Sequence, residues 1–104
     1  MKILLVEDDD DVRDLVRMVL SPLTQARGGA EPLLETLQTY FVAGTATETA
    51  RRMHLSVRAV TYRLDRIRQL TGHDAADPEQ RFSLQAAVLG ARLLGWPREP
   101  LPIG

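Results

Sequence analysis

Apolar residues recur along this chain at helical spacing, and the polar residues between the runs divide it into helices. Val12, Leu15, Val16, Val19 and Leu20 share one helical face, which ends at Ser21-Pro22. Pro22 and Gly28-Gly29 mark a loop. A second helix starts near Glu31, with Pro32 suited to a first turn that needs no amide hydrogen there. Leu33, Leu34, Leu37, Tyr40 and Phe41 give it an apolar face, and Gly44 can close it in the left-handed conformation. Val57, Val60, Leu64 and Ile67 form a further stripe, stopped by Thr71-Gly72, and residues 73–76 read as a loop. Asp77-Pro78-Glu79-Gln80 signals another start: an Asp cap, a first-turn proline and Gln three residues on. That last helix runs to about Leu94, with Phe82, Ala86, Leu89 and Leu93 on one face, and Gly95 ends it. Trp96 to Pro102 cannot continue a helix. Residues 96–104 therefore read as a Pro-rich tail, with Trp96 able to fold back onto the core. The expectation is an all-α bundle of four to five helices over residues 12–95.

Residues 45–70 carry the clearest local grammar. Thr45-Ala46-Thr47-Glu48 fits a capping box, in which Thr accepts from the amide three residues on and Glu reaches back. Ala50 is small where two helices crossing near a right angle come close. Met53 and Leu55 bracket a corner and can both face inward. His54 stands where many such corners place Gly, and histidine is among the non-glycine residues enriched at positive φ. Ser56 then caps a second helix. A short helix, a tight corner and a longer basic helix are the sequence form of a helix-turn-helix, whose second helix lies in the DNA major groove.

On that second helix, the face opposite Val60, Leu64 and Ile67 carries Arg58, Tyr62, Asp65 and Gln69, flanked by Thr61 and Arg66. Guanidinium groups suit guanine or phosphate, and hydroxyls and amides suit either base edges or backbone. The candidate base-facing set is Ser56, Arg58, Thr61, Tyr62 and Asp65. The candidate phosphate-facing set is Arg51, Arg63, Arg66 and Arg68.

A family resemblance follows from these residues. Tyr62-Arg63-Leu64, Arg66-Ile67, Leu70-Thr71-Gly72, Asp77-Pro78-Glu79 and Arg81 together resemble the C-terminal helix-turn-helix domain of PucR-like (CdaR-like) bacterial transcriptional regulators. Leu34-Glu35-Thr36-Leu37, Tyr40-Phe41 and Ala50-Arg51 fit the same pattern, so the resemblance spans about residues 20–94. It implies a Fis-type helix-turn-helix in a cytoplasmic regulator, with an effector-sensing region outside this chain. The sequence departs from the family where the recognition helix begins. Ser56, Arg58 and Ala59 stand where His, Asn and Thr are common, so the operator does not carry over.

Charge sharpens the picture. The 104 residues suit one domain and carry a net charge of only −1. Residues 51–70, however, hold six arginines against one acid, a local +5, while residues 1–14 hold six acids and two bases, a local −4. A basic helix displaces counterions from DNA and makes binding salt-dependent. The chain has no cysteine, and His54 and His73 lie far apart, so neither a metal site nor another cofactor is expected. No phosphate loop and no nucleophile elbow occur, so the expectation is no enzyme. No apolar run approaches the ~20 residues of a membrane span, and the acidic N-terminus is unlike a signal peptide.

Residues 1–11 read as an acidic extension. Lys2 to Asp9 resembles the first strand and acidic pair of a response-regulator receiver domain, whose carboxylates hold Mg²⁺ beside a phosphorylated Asp. No second buried strand with an acceptor Asp follows, so a phosphoacceptor is not expected. Asp8 to Asp11 suit the N-terminus of the helix that follows.

The sequence thus supports a DNA-binding regulator acting on double-stranded DNA as a homodimer, with either the residue 12–20 stripe or the last helix as the dimer surface. The alternative is a helical interaction module whose basic helix docks on an acidic protein partner.

Overall fold

The helical stripes become buried faces in a computed structural model, which describes residues 9–101. Five helices form: α1 (Asp9–Leu20), α2 (Glu31–Ala43), α3 (Ala46–Met53), α4 (Val57–Thr71) and α5 (Pro78–Leu94). No strand occurs among the described residues. The strand-like residues 2–8, and with them the receiver resemblance, lie outside the described residues.

The core gathers one face from each of four helices. Val16, Val19 and Leu20 of α1 meet Leu33, Leu34 and Leu37 of α2, Ile67 of α4, and Leu84, Ala87 and Ala91 of α5. Each fully buried leucine among them contributes about 1.5–3 kcal/mol relative to an exposed one. Gly90 lets α1 and α5 approach. A Cβ there would lie 3.1 Å from both Val12 Cγ1 and Val16 Cγ2, two stiff β-branched side chains.

The loop expected after α1 is partly helical. Ser21–Gln25 form a 3₁₀ turn, because Pro22 fits its start and Leu23 has no exposed surface left. In the tail, Trp96 folds back onto the core, as the sequence allows. It is only 8% exposed, and its amide donates to the Ala91 carbonyl at 3.0 Å.

The largest difference is on α5. The face holding Phe82, Leu89 and Leu93 points to solvent, with exposures of 71%, 54% and 73%, whereas Leu84, Ala87, Val88 and Ala91 form the buried face. The α1 stripe, by contrast, is consumed by the core, leaving Met18 outside it.

α2 lies behind the remaining helices and touches both α3 and α4. Its first turn carries Pro32, and Gly44 caps its end, where a positive φ lets the Gly44 amide return to the Tyr40 carbonyl at 2.8 Å. That stop delivers the chain into the start of α3.

Candidate nucleic-acid interface

Each helix of the motif starts on a side-chain cap and ends on a left-handed residue whose backbone amide returns to the last turn. Thr45 Oγ1 accepts from the Glu48 amide at 3.1 Å, which is the first half of the capping box. The second half is replaced. The Glu48 carboxylate accepts from the guanidinium groups of Arg51 and Arg52 instead of turning back to the cap. Those arginines hold the Glu48 carboxyl below its ordinary pKa, with the Arg51 hydrogen bond the larger cause.

The corner closes on a left-handed histidine. His54 has φ 58°, its amide donates to the Arg51 carbonyl, and the Leu55 amide donates to the Ala50 carbonyl at 2.9 Å. This pair of bonds is the Schellman arrangement, with His where glycine is usual. Ala50 and Thr49 are buried beneath it, and the Thr49 hydroxyl is satisfied by the Thr45 carbonyl at 2.7 Å.

Ser56 caps α4 by accepting from the Ala59 amide at 3.0 Å. Val60 and Ile67 have no exposed surface, which sets the rotation of the helix about its axis. Leu64 is half-buried, whereas Val57, expected in the same stripe, is 45% exposed at the first turn.

That rotation turns Arg58, Thr61, Tyr62, Asp65, Arg68 and Gln69 outward, and all are exposed. Ser56 is exposed at the head of the same helix. The Thr61 hydroxyl donates to the Val57 carbonyl. Tyr62 is 66% exposed. Arg58 has no hydrogen bond or ion pair among the described residues. Arg66 donates only to the Gln69 side chain, at 3.2 Å.

The other charges are partly spent within the helix pair. Arg68 is paired with Asp65, which raises its already high pKa through their hydrogen bond and keeps it cationic. Asp65 also accepts from Gln69. Arg51 shares Glu48 with Arg52 yet keeps 74% of its side chain exposed.

Arg63, a phosphate-facing candidate, donates from Nη1 to Thr36 Oγ1 at 3.2 Å and to the Pro32 carbonyl at 3.4 Å, so it also ties α4 to α2. The helical wheel contained the signal: three residues after Val60, Arg63 falls on the flank of the buried stripe. Arg27 is not among the sequence candidates. It lies exposed in the loop before Gly28, and nothing in the linear sequence says that this loop borders α4. Among the described residues no cluster of three or more His, Cys, Asp or Glu side chains is assembled. No helix among them is long and apolar enough to cross a membrane.

Known proteins share this arrangement. The family described as the PucR C-terminal helix-turn-helix domain matches residues 33–89. The purine catabolism regulatory protein of Bacillus subtilis is 30% identical over 86 residues, covering 82% of this chain and 16% of that protein. An uncharacterized protein of Mycobacterium tuberculosis is 36% identical over 76 residues, covering 72% of this chain and 18% of that one. The crystal structure of a regulator of polyketide synthase expression from Bifidobacterium adolescentis superposes with a TM-score of 0.70 at 30% identity, over 86% of this chain and 37% of that one. The chain thus spans less than a fifth of the curated relatives it matches.

Proposed function

Because the chain belongs to the family of PucR C-terminal helix-turn-helix domains, we propose that it binds double-stranded DNA sequence-specifically, as the DNA-binding domain of a bacterial, cytoplasmic transcriptional regulator. The observation that carries this reading is the outer face of α4. Arg58, Thr61, Tyr62 and Asp65 stand exposed on a helix whose far side is locked by Val60 and Ile67. Neither Arg58 nor Arg66 is neutralised by a carboxylate among the described residues.

In this reading α4 enters the major groove N-terminus first. Ser56, Arg58, Thr61, Tyr62 and Asp65 meet base edges, and Arg51, Arg63, Arg66 and Arg68 reach phosphates. Arg63 also holds α4 at its angle to α2 through Nη1. One such unit makes few base contacts, so two copies on a two-fold site are expected. The exposed Phe82, Leu89 and Leu93, with Ala86 between them, support α5 as the contact between copies. Their spacing of four, three and four residues is that of a coiled-coil seam. Effector sensing is assigned to the part of the longer regulators that this chain does not span.

The test is fluorescence anisotropy with labelled duplexes selected from a random pool, at two salt concentrations. Saturable binding that weakens with salt and prefers the selected sequence is expected. Absence of binding at low salt refutes the reading. Displacement by an acidic protein, with no effect of competitor DNA, favours the interaction-module alternative.

A further inference from the structure

A groove of about 740 Å³ runs along one flank of α4, between that helix and the segment joining the 3₁₀ turn to α2. Four arginines line it, Arg27 on one side and Arg58, Arg63 and Arg66 on the other, and no carboxylate does. The acids nearest in sequence on the motif are engaged elsewhere: Asp65 by Arg68 and Gln69, Glu48 by Arg51 and Arg52. Arg63 is held by a carbonyl and a hydroxyl, both neutral, so its charge is oriented without being cancelled. Four like charges around one concavity repel one another, and low-dielectric walls focus their field into it. An anion in the groove would relieve that repulsion.

Its shape and place indicate which anion. A helix lying in the major groove has a sugar-phosphate strand on each side, and this groove follows the axis of α4 rather than enclosing a single point. Pro32, Leu33 and Ala59 add apolar surface beside the guanidinium groups, as a sugar would require. Arg27 makes no hydrogen bond or ion pair among the described residues, and it is exposed, so the fold does not need its charge.

We infer that this groove seats one sugar-phosphate strand of the bound duplex, with Arg27 as a phosphate contact supplied from outside the helix-turn-helix. The inference rests on the DNA-binding reading above.

Arg27→Ala and Arg92→Ala test it. Arg92 is also exposed, but it lies on α5, away from the groove. Anisotropy with a labelled random-sequence duplex is measured for wild type and both variants from low to moderate salt, with circular dichroism to verify folding. Each phosphate contact makes a fourfold rise in salt cost about 3.5-fold in affinity. Arg27→Ala should therefore weaken binding to all duplexes alike at low salt. Over a fourfold rise in salt it should lose about 3.5-fold less affinity than wild type does. Arg92→Ala should match wild type. Equal salt slopes for wild type and Arg27→Ala, with wild type binding, overturn the groove assignment alone. No duplex binding by wild type overturns both this and the function it rests on. Saturable binding of inorganic phosphate that Arg27→Ala removes, with the duplex slope untouched, assigns the groove to a small anion and also overturns the inference.

Discussion

Arg58 and Arg68 sit on the same exposed face of α4, yet the structure predicts different costs for removing them. Arg58 has no partner to give up, so Arg58→Ala should leave stability within about 0.5 kcal/mol. If its guanidinium makes a bidentate base contact, the loss of affinity is about 1–3 kcal/mol, roughly 5- to 150-fold, on the selected sequence and much less on a scrambled one. Arg68 is already paired with Asp65, and their side chains are 50% and 52% exposed. An exposed pair of this kind is worth about 0.2–1 kcal/mol, and part of that is surrendered when a phosphate takes the guanidinium. Arg68→Ala should therefore weaken selected and scrambled duplexes alike, and by less than Arg58→Ala weakens the selected one. A double-mutant cycle isolates the pair. In an Asp65→Asn background, Arg68→Ala should cost about 0.2–1 kcal/mol more binding energy than in wild type, because the arginine no longer leaves a partner behind. The assay is anisotropy at fixed salt with both duplexes. If Arg58→Ala binds the selected duplex as wild type does, or if the cycle shows no coupling, this partition of the arginines is wrong.

Three further outcomes can be measured. Ile67 has no exposed surface; Ile67→Ala should lose about 2–5 kcal/mol in urea denaturation, and an unchanged midpoint would mean that α4 is not anchored as described. Leu93 is 73% exposed, so if two copies meet through α5 as proposed, Leu93→Glu should abolish self-association in sedimentation with monomer stability nearly unchanged; a dimer that persists removes α5 as the contact. Glu48 should titrate below 4.5 in a carbon-detected NMR experiment, since Arg51 and Arg52 favour its charged form. With the native pKa below the unfolded one, its contribution is complete above about pH 4.5 and is lost as pH falls through the lower native value.

Much of this fold could be read in the linear chain because local chemistry decided it. Thr45, Ser56 and Asp77 each accept an amide at a helix start, as their side chains dictate. Gly44 and Gly72 stop helices in the left-handed conformation, and His54 does so without being glycine. What could not be read were choices between local options that distant residues made. Glu48 could cap Thr45 or pair with arginines, and the guanidinium groups one turn on won. α5 carries two apolar faces, and periodicity alone cannot say which is buried. Gly90 favours the buried one, because a Cβ there would crowd Val12 and Val16 of α1 at 3.1 Å. Leu23 follows the same rule: a proline predicts irregular backbone, but not that a large side chain will return from it to the core.

The candidate surface obeys a related logic. The chain as a whole carries a charge of −1, which by itself argues against a polyanionic ligand. The basicity that matters is local and is created by how acids are spent. Asp65 and Glu48 hold arginines that lie on their own helices, each at a separation of three or four residues. Arg58 and Arg66 have no acid at such a spacing turned toward them, and Arg27 is brought to the same flank by a loop distant in sequence. Net charge therefore understates the field at α4, and the decisive quantity is the number of guanidinium groups that folding leaves without a carboxylate. Adding a carboxylate within reach of that flank, as in Ala59→Glu, would reduce that number without disturbing the Val60–Ile67 anchor, and should weaken duplex binding more than the same charge added on α5.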